Sequence, residues 1–186
     1  MESLRPAGAT ALVSISNLLW SNCTAQHLHS RVYNTLIPSD FYDYAFTIVR
    51  DPIDRIQSEY RMRCREYKLG NMDVPTFQDW LDFVLWQYNH NKYMYDNHIR
   101  PQSEFISDGV EVFRYEDGLD VVVRRLEEVL CRKIELPAER INAGEEFDII
   151  RSSREDTLIG NFYEIDFNTL GYKQPVSVVT QSLSTQ

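Results

Sequence analysis

The sequence predicts a single α/β domain with a mainly parallel central sheet, and three observations support that prediction. Residues 45–49 form a short apolar run rich in β-branched residues, which is typical of a buried strand. A helical pattern follows directly and begins at Pro52. A second strand and helix are predicted over residues 110–130. Strands that alternate with helices are typical of domains in which helices cover a parallel sheet.

The composition limits the classes of function. The chain has 186 residues, of which 43% are hydrophobic, enough for one real core over residues 1–172 with a polar tail over 173–186. The net charge of −9 argues against a nucleic-acid partner, because such proteins carry basic surfaces. The three cysteines show no CxxC spacing, so we expect reduced thiols. We expect neither a transmembrane helix nor a secretory leader, since no apolar run has the required length.

The corner between the first strand and its helix is the most informative stretch. Asp51 offers an oxygen for a helix N-cap, and Pro52 suits the first helical position. Arg50 therefore lies at the carboxyl end of a strand and beside a helix N-terminus, two places that favour a bound anion. Ser58 follows two helical turns later and adds a hydroxyl donor. Alternatively, Arg50 forms an ion pair with Asp51 or Asp54, and Ser58 has no special role.

This corner resembles the 3′-phosphate-binding motif of sulfotransferases that use 3′-phosphoadenosine 5′-phosphosulfate (PAPS). The sequence there reads Arg50-Asp-Pro-x-x-Arg55-x-x-Ser58-x-Tyr60. It is most similar to the carbohydrate branch of the family, which includes the uronyl 2-O-sulfotransferases. The resemblance implies that Arg50 and Ser58 bind the cofactor's 3′-phosphate, that the product nucleotide is PAP and that no metal takes part. It also implies a three-layer, P-loop-like sulfotransferase fold with a mainly parallel central sheet.

The N-terminal stretch matches the family's phosphate loop only in part. Residues 5–12 resemble its Lys-Thr-x-Gly-Thr/Ser loop, which implies that Arg5 and Thr10 contact the phosphosulfate. However, this stretch has no lysine, and only four residues precede Arg5, too few for the usual first strand. We therefore expect either a chain that begins late, without that strand, or a degenerate loop. A frayed terminus before an ordinary helix is the alternative.

Two histidines precede the first predicted strand. In an extended segment His27 and His29 point the same way, because side chains alternate with a period of two. A histidine can take the proton of a hydroxyl as a general base. In the uronyl 2-O-sulfotransferases a His-x-His at nearly this distance before the arginine motif supplies that base, which implies the role for His27 or His29. A metal-binding pair and two incidental histidines are the alternatives.

Later segments add candidate binding residues. His98-x-x-Pro-Gln102 is similar to a loop beside the active site of carbohydrate sulfotransferases, so we expect His98 or Gln102 to hydrogen-bond cofactor or acceptor. A tightly turned connector is the alternative. Several family members place basic residues on a late loop, which implies that Arg151 and Arg154 reach the 3′-phosphate. Residues 161–172 resemble the family's closing Tyr-x-x-Asp-Phe segment.

The resulting prediction is sulfuryl transfer from PAPS to a hydroxyl of a glycan or small molecule. The missing lysine leaves open an inactive protein that binds the nucleotide or a glycan. A P-loop kinase-like phosphotransferase is the third possibility, although the chain has no Gly-x-x-x-x-Gly-Lys loop. We expect a cytoplasmic protein if the chain is complete, and the Golgi lumen if it is part of a eukaryotic carbohydrate sulfotransferase.

Overall fold

The computed structural model describes residues 23–135 and 147–175. Within these ranges the chain forms two strands and six α-helices, connected partly by short 3₁₀ turns. The elements are β1 (Phe46–Val49), β2 (Glu111–Arg114), α1 (Ser30–Leu36), α2 (Pro52–Leu69), α3 (Phe77–His90), α4 (Leu119–Leu130), α5 (Ser153–Phe162) and α6 (Glu164–Leu170). Arg5 and Thr10, together with most of the predicted tail, lie outside the described residues.

The two strands pair in parallel, with Phe46 opposite Glu111 and Val49 opposite Arg114. A small parallel sheet among helices confirms the predicted α/β class. The carboxyl ends of parallel strands meet at the same edge, so the residues that follow β1 and β2 lie side by side. Over the described ranges the sheet has two strands, and the larger three-layer arrangement implied by the resemblance stays a prediction.

The main core forms where α2 packs against α3, α5 and α6. Ile56, Tyr60 and Cys64 repeat at helical spacing along α2, and all three are buried in this cluster. Burial of each large apolar side chain stabilises the fold by about 1.5–3 kcal/mol. Because this face of α2 is fixed inside the core, its opposite face looks outward, and Ser58 lies there, exposed to solvent.

A second, smaller cluster joins the sheet to α4. Val122 and Leu126 of α4 are buried together with Ile134, and Phe46 and Phe113 of the two strands pack against them. Helix spacing of four residues puts Val122 and Leu126 on one face. The sheet is thereby held from one side by α4.

The cysteines and the helix lengths bear on two further expectations. Cys23, Cys64 and Cys131 are not joined to one another by disulfide bonds. Among the helices in the described residues, none is both long enough and apolar enough to cross a membrane.

Candidate functional site

His27 ends a 3₁₀ turn, and the loop that follows α3 holds its ring. His27 Nδ1 lies 2.6 Å from Asp96 Oδ2, and the Asn97 side chain donates to the His27 carbonyl at 2.8 Å. Thr24 fixes the carboxylate, since its backbone N–H and its hydroxyl each donate to Asp96 at 2.6 Å. A carboxylate at Nδ1 favours the tautomer with the proton on that nitrogen, which leaves Nε2 as the proton acceptor.

Asp96 is held in its charged form. Burial alone would raise the pKa of Asp96, but the hydrogen bonds from Thr24 and His27 outweigh burial and lower that pKa below its ordinary value. The carboxylate therefore stays an acceptor for Nδ1–H around neutral pH.

The loop bends sharply to bring these groups together. Tyr95, Asp96 and Asn97 adopt left-handed backbone conformations, with φ of 49°, 57° and 71°. Non-glycine residues rarely adopt this region, and runs of three are costly, so the loop depends on its packing and hydrogen bonds. The sequence alone does not single out Asp96, although an Asp-Asn pair in a polar loop is a signal for such a turn.

His98 completes a row of interacting side chains. Its Nε2 lies 3.3 Å from His27 Nε2, and its Nδ1 lies 2.9 Å from Glu59 Oε2 on α2. The two rings meet edge to face at 84°. We refer to Asp96, His27, His98 and Glu59 as the histidine relay. The His27 and His98 side chains are 34% and 30% exposed, so ligands can reach both rings.

Glu59 anchors the inner end of the relay. Its other oxygen, Oε1, pairs with Arg63 at 2.6 Å. Burial would raise the pKa of Glu59, but the hydrogen bond and charge of His98 and the charge of Arg63 outweigh burial and lower it. Since Glu59 remains charged, it holds the His98 ring in one orientation. The sequence gives no signal for Glu59 beyond its helical position.

The structure separates the two histidines of the predicted pair. His29 precedes α1 as its N-cap residue, is buried, and packs edge-on against Tyr93 with ring centroids 5.9 Å apart. Burial and the nearby charge of Arg100 lower the pKa of His29. Its Nδ1 has no hydrogen-bond partner within the described ranges. His27, by contrast, has the carboxylate partner that a general base needs for orientation.

A metal is the alternative reading of the histidine pair. The part of the chain that the structure describes holds no group of three or more side chains suited to bind a metal ion.

Arg50 leaves the carboxyl end of β1, as predicted. Its guanidinium lies over the ring of Tyr115, 4.9 Å from the ring centroid. Its charge also helps to lower the pKa of Glu116, after the larger effects of burial, which raises that pKa, and of hydrogen bonds. Arg50 Nε is buried, and no described residue accepts a hydrogen bond from it. This donor remains to be satisfied, and a bound anion would satisfy it.

The backbone at the start of α2 is already hydrogen-bonded. Asp51 Oδ1 accepts from the N–H groups of Ile53 at 2.8 Å and Asp54 at 3.3 Å. Glu116 Oε1 accepts from the Asp51 N–H at 2.8 Å. The N–H groups of Asp51, Ile53 and Asp54 are therefore not free to bind an anion. The expectation that this helix N-terminus favours an anion stays a prediction.

Two further side chains of α2 can contribute to such a site. Ser58 is exposed two turns beyond Asp51, about 10 Å along the helix axis. Arg55 lies one turn before Ser58 on a neighbouring face, and its Nη1 is buried without a partner among the described residues. Arg50 and Arg55 thus both carry an unsatisfied buried donor. That chemistry fits a phosphate group.

Gln102 has a use that differs from the predicted ligand contact. Its Oε1 accepts from the Arg50 N–H at 2.8 Å, and its Nε2 donates to the Arg50 carbonyl at 2.7 Å. The side chain therefore fixes the backbone of Arg50. The Gln102 and Ser103 N–H groups in turn donate to the fully buried Asp166 at 2.7 and 2.8 Å. Asp166 is the acidic residue of the closing Tyr-x-x-Asp-Phe segment. By accepting these two hydrogen bonds it holds the backbone at Gln102 and Ser103 in place.

The late arginines are paired with carboxylates. Arg151 Nε donates to Asp156 at 2.7 Å, and one Arg154 nitrogen donates to both oxygens of Asp82 at 2.8 and 2.9 Å. The predicted contact of Arg151 and Arg154 with a phosphate would require these pairs to open.

Most of the candidate site lies in the part of the chain that is similar to a known protein family. A protein-family model described as Sulfotransferase family matches residues 20–130. The match contains His27, Arg50, Ser58 and His98, and it ends before Arg151. No curated protein and no solved structure matches the chain significantly.

Proposed function

The chain belongs to the sulfotransferase family, and on this premise we propose that it transfers a sulfuryl group from PAPS to a hydroxyl of a carbohydrate acceptor. The proposal depends above all on the 2.6 Å contact between His27 Nδ1 and Asp96. That contact leaves Nε2 of an accessible histidine ready to accept a proton. Of the two candidate histidines, we assign the general base to His27.

His27 removes the proton from the acceptor hydroxyl through Nε2. Asp96 keeps the ring in the required tautomer and stabilises the positive charge that the ring gains. A positioned general base contributes about 10²–10⁴ in rate. When bound, PAPS supplies the sulfuryl group, and PAP is the product.

Arg50 and Ser58 bind the 3′-phosphate of the nucleotide. The unsatisfied Nε of Arg50 supports this assignment, and so does the exposure of Ser58 on the outer face of α2. We add Arg55 to the predicted set, because its Nη1 is unsatisfied as well. Charge-assisted hydrogen bonds from arginine to phosphate are stronger than neutral ones and fix the nucleotide in place.

The carbohydrate acceptor is proposed from the resemblance of the Arg50 corner and the His98 loop to the carbohydrate branch. His98 is the residue of that loop nearest to His27 Nε2 among the described contacts, 3.3 Å away. Because both rings are partly exposed, the acceptor hydroxyl approaches His27 Nε2 from their exposed side.

One sequence feature favours a second candidate function. The sequence over residues 5–12 lacks the lysine that the resemblance requires. A chain that binds PAP without transferring sulfate would fit this feature. Arg5 and Thr10, the proposed contacts of the phosphosulfate, lie outside the described residues.

Calorimetry with PAP and a turnover assay with radiolabelled PAPS and a panel of glycans test the proposal together. We expect the wild-type chain to bind PAP and to label at least one glycan, and His27→Ala to bind PAP but lose turnover. His90→Ala, the same substitution at an exposed position of α3, is the matched control. Binding without turnover in the wild type would favour the second candidate, and no binding of PAP would overturn both.

A further inference from the structure

The two rings of the histidine relay face each other through the same kind of nitrogen. Nε2 of His27 and Nε2 of His98 lie 3.3 Å apart, and each Nδ1 faces a carboxylate, Asp96 or Glu59. A neutral imidazole has one donor and one acceptor nitrogen. With both donors directed to the carboxylates, both Nε2 atoms are acceptors, and two acceptors cannot form a hydrogen bond. The contact is satisfied only when one additional proton lies between them.

We propose that His27 and His98 act as a proton-sharing pair, in which the proton taken from the acceptor hydroxyl is held between their two Nε2 atoms. The inference rests on the sulfuryl transfer proposed above and assigns His98 as a positioning residue that acts through His27. It gives the loop histidine a function distinct from binding of nucleotide or sugar.

Before the transfer neither Nε2 carries a proton, and the charges around the pair favour the uptake of exactly one. Asp96 faces His27 from the loop after α3, and Glu59 faces His98 from α2, with Arg63 on the far oxygen of Glu59. One shared proton gives the pair a single positive charge between two carboxylates. A second proton would put two positive rings in contact, and no proton would leave two lone pairs facing each other.

The transfer step balances with this assignment. The acceptor oxygen forms a bond to sulfur with its own electron pair and gives its proton to Nε2 of His27, where Nε2 of His98 shares it. The bond from sulfur to the 5′-phosphate oxygen breaks, and its electron pair leaves with the phosphate. The shared proton then passes to solvent through the exposed side of the rings.

Nitrogen NMR on the wild-type chain tests the shared proton without any turnover. We expect both Nδ1 atoms to be protonated throughout a pH series. Both Nε2 resonances should lie at the bare value at the alkaline end and should move together to intermediate values as the pair takes up one proton. Independent titration of the two Nε2 atoms would overturn the proposal. His98→Asn is the informative variant, because its amide can still donate to Glu59 but has no atom at Nε2. In this variant His27 Nε2 should show a bare or a fully protonated signal, and an unchanged intermediate signal would contradict the pair.

Kinetics separate a shared proton from a merely structural role. We expect His98→Asn to lower kcat by roughly 10²–10⁴, with PAP affinity and acceptor KM unchanged. The double variant with His27→Ala should be no slower than the slower single variant, because residues that act as a unit are not additive. Unchanged kcat in His98→Asn, or fully additive losses, would overturn the proposal. A wild type without turnover that still shows the shared proton would instead refute the sulfuryl transfer.

Discussion

The side chain of Gln102 forms two hydrogen bonds with the backbone of Arg50. They are the same two bonds that a neighbouring strand would form. Its amide accepts from the Arg50 N–H and donates to the Arg50 carbonyl, at 2.8 and 2.7 Å. The Ala45 carbonyl faces β2, so alternation along the strand directs the Arg50 groups to the opposite edge. Gln102 thus extends the sheet at the point where the guanidinium of Arg50 leaves it.

Replacing Gln102 by alanine should therefore weaken both the fold and the nucleotide site. The two partly buried backbone groups of Arg50 would lose their partners, at a cost of about 1–3 kcal/mol in the free energy of unfolding. Looser placement of Arg50 should also lower PAP affinity. Urea denaturation and calorimetry measure the two effects. The same substitution at the exposed Gln78 of α3 is the control. An unchanged unfolding free energy in Gln102→Ala would show that these hydrogen bonds are not needed.

The arginines predicted to bind phosphate should differ in their effects. Arg50→Ala removes an unsatisfied donor and should weaken PAP binding by roughly 10- to 100-fold, the equivalent of a hydrogen bond to a charged group. Arg154→Ala breaks an exposed pair with Asp82 and should leave PAP affinity within a factor of about two, because surface ion pairs contribute little. Titration calorimetry with PAP measures both. A larger loss of PAP affinity in Arg154→Ala than in Arg50→Ala would instead indicate that the nucleotide binds near α5.

The parts of the site that the sequence predicts correctly are local. Asp51 as the N-cap, Pro52 at the first helical position and Arg50 at the end of the strand follow from neighbouring residues alone. Their geometry depends on backbone preferences over a few positions, which a single sequence records.

The remaining parts depend on contacts between distant segments. His27 meets Asp96, and His98 meets Glu59, only because the loop after α3 folds back over α2. Nothing in a single sequence couples such pairs, so Asp96 and Glu59 were not predictable as members of the site. For the same reason the sequence predicts a ligand contact for Gln102, and only the structure shows that its side chain binds the backbone of Arg50.

Asp96→Asn should disable the base while leaving the fold intact. An amide at this position can donate to Nδ1, which favours the tautomer with the proton on Nε2, the wrong nitrogen for accepting a proton. We expect kcat to fall by roughly 10²–10⁴ with little change in PAP affinity. The control is Asp82→Asn, the same change at an exposed carboxylate of α3. Retention of wild-type kcat in Asp96→Asn would mean that His27 is not oriented by this carboxylate.

The lowered pKa of Glu59 predicts how stability changes with pH. Burial raises this pKa, but His98 and Arg63 outweigh burial, so the carboxyl binds its proton more weakly in the folded chain than in the unfolded one. Such a group stabilises the fold above its unfolded pKa, which is about 4.5, and loses that contribution as pH falls through the folded pKa. Glu59→Gln should therefore be less stable than the wild type at pH 7, by about 1.5–3 kcal/mol.

The difference between wild type and Glu59→Gln should shrink as the pH falls below about 4.5, because the wild-type carboxyl then becomes protonated as well. Urea denaturation at a series of pH values measures the two free energies of unfolding. Glu164→Gln, at an exposed position of α6, should follow the wild-type curve throughout. A difference that stays constant down to the lowest pH would mean that the charge of Glu59 does not stabilise the fold. The orientation of the His98 ring would then have to depend on another residue.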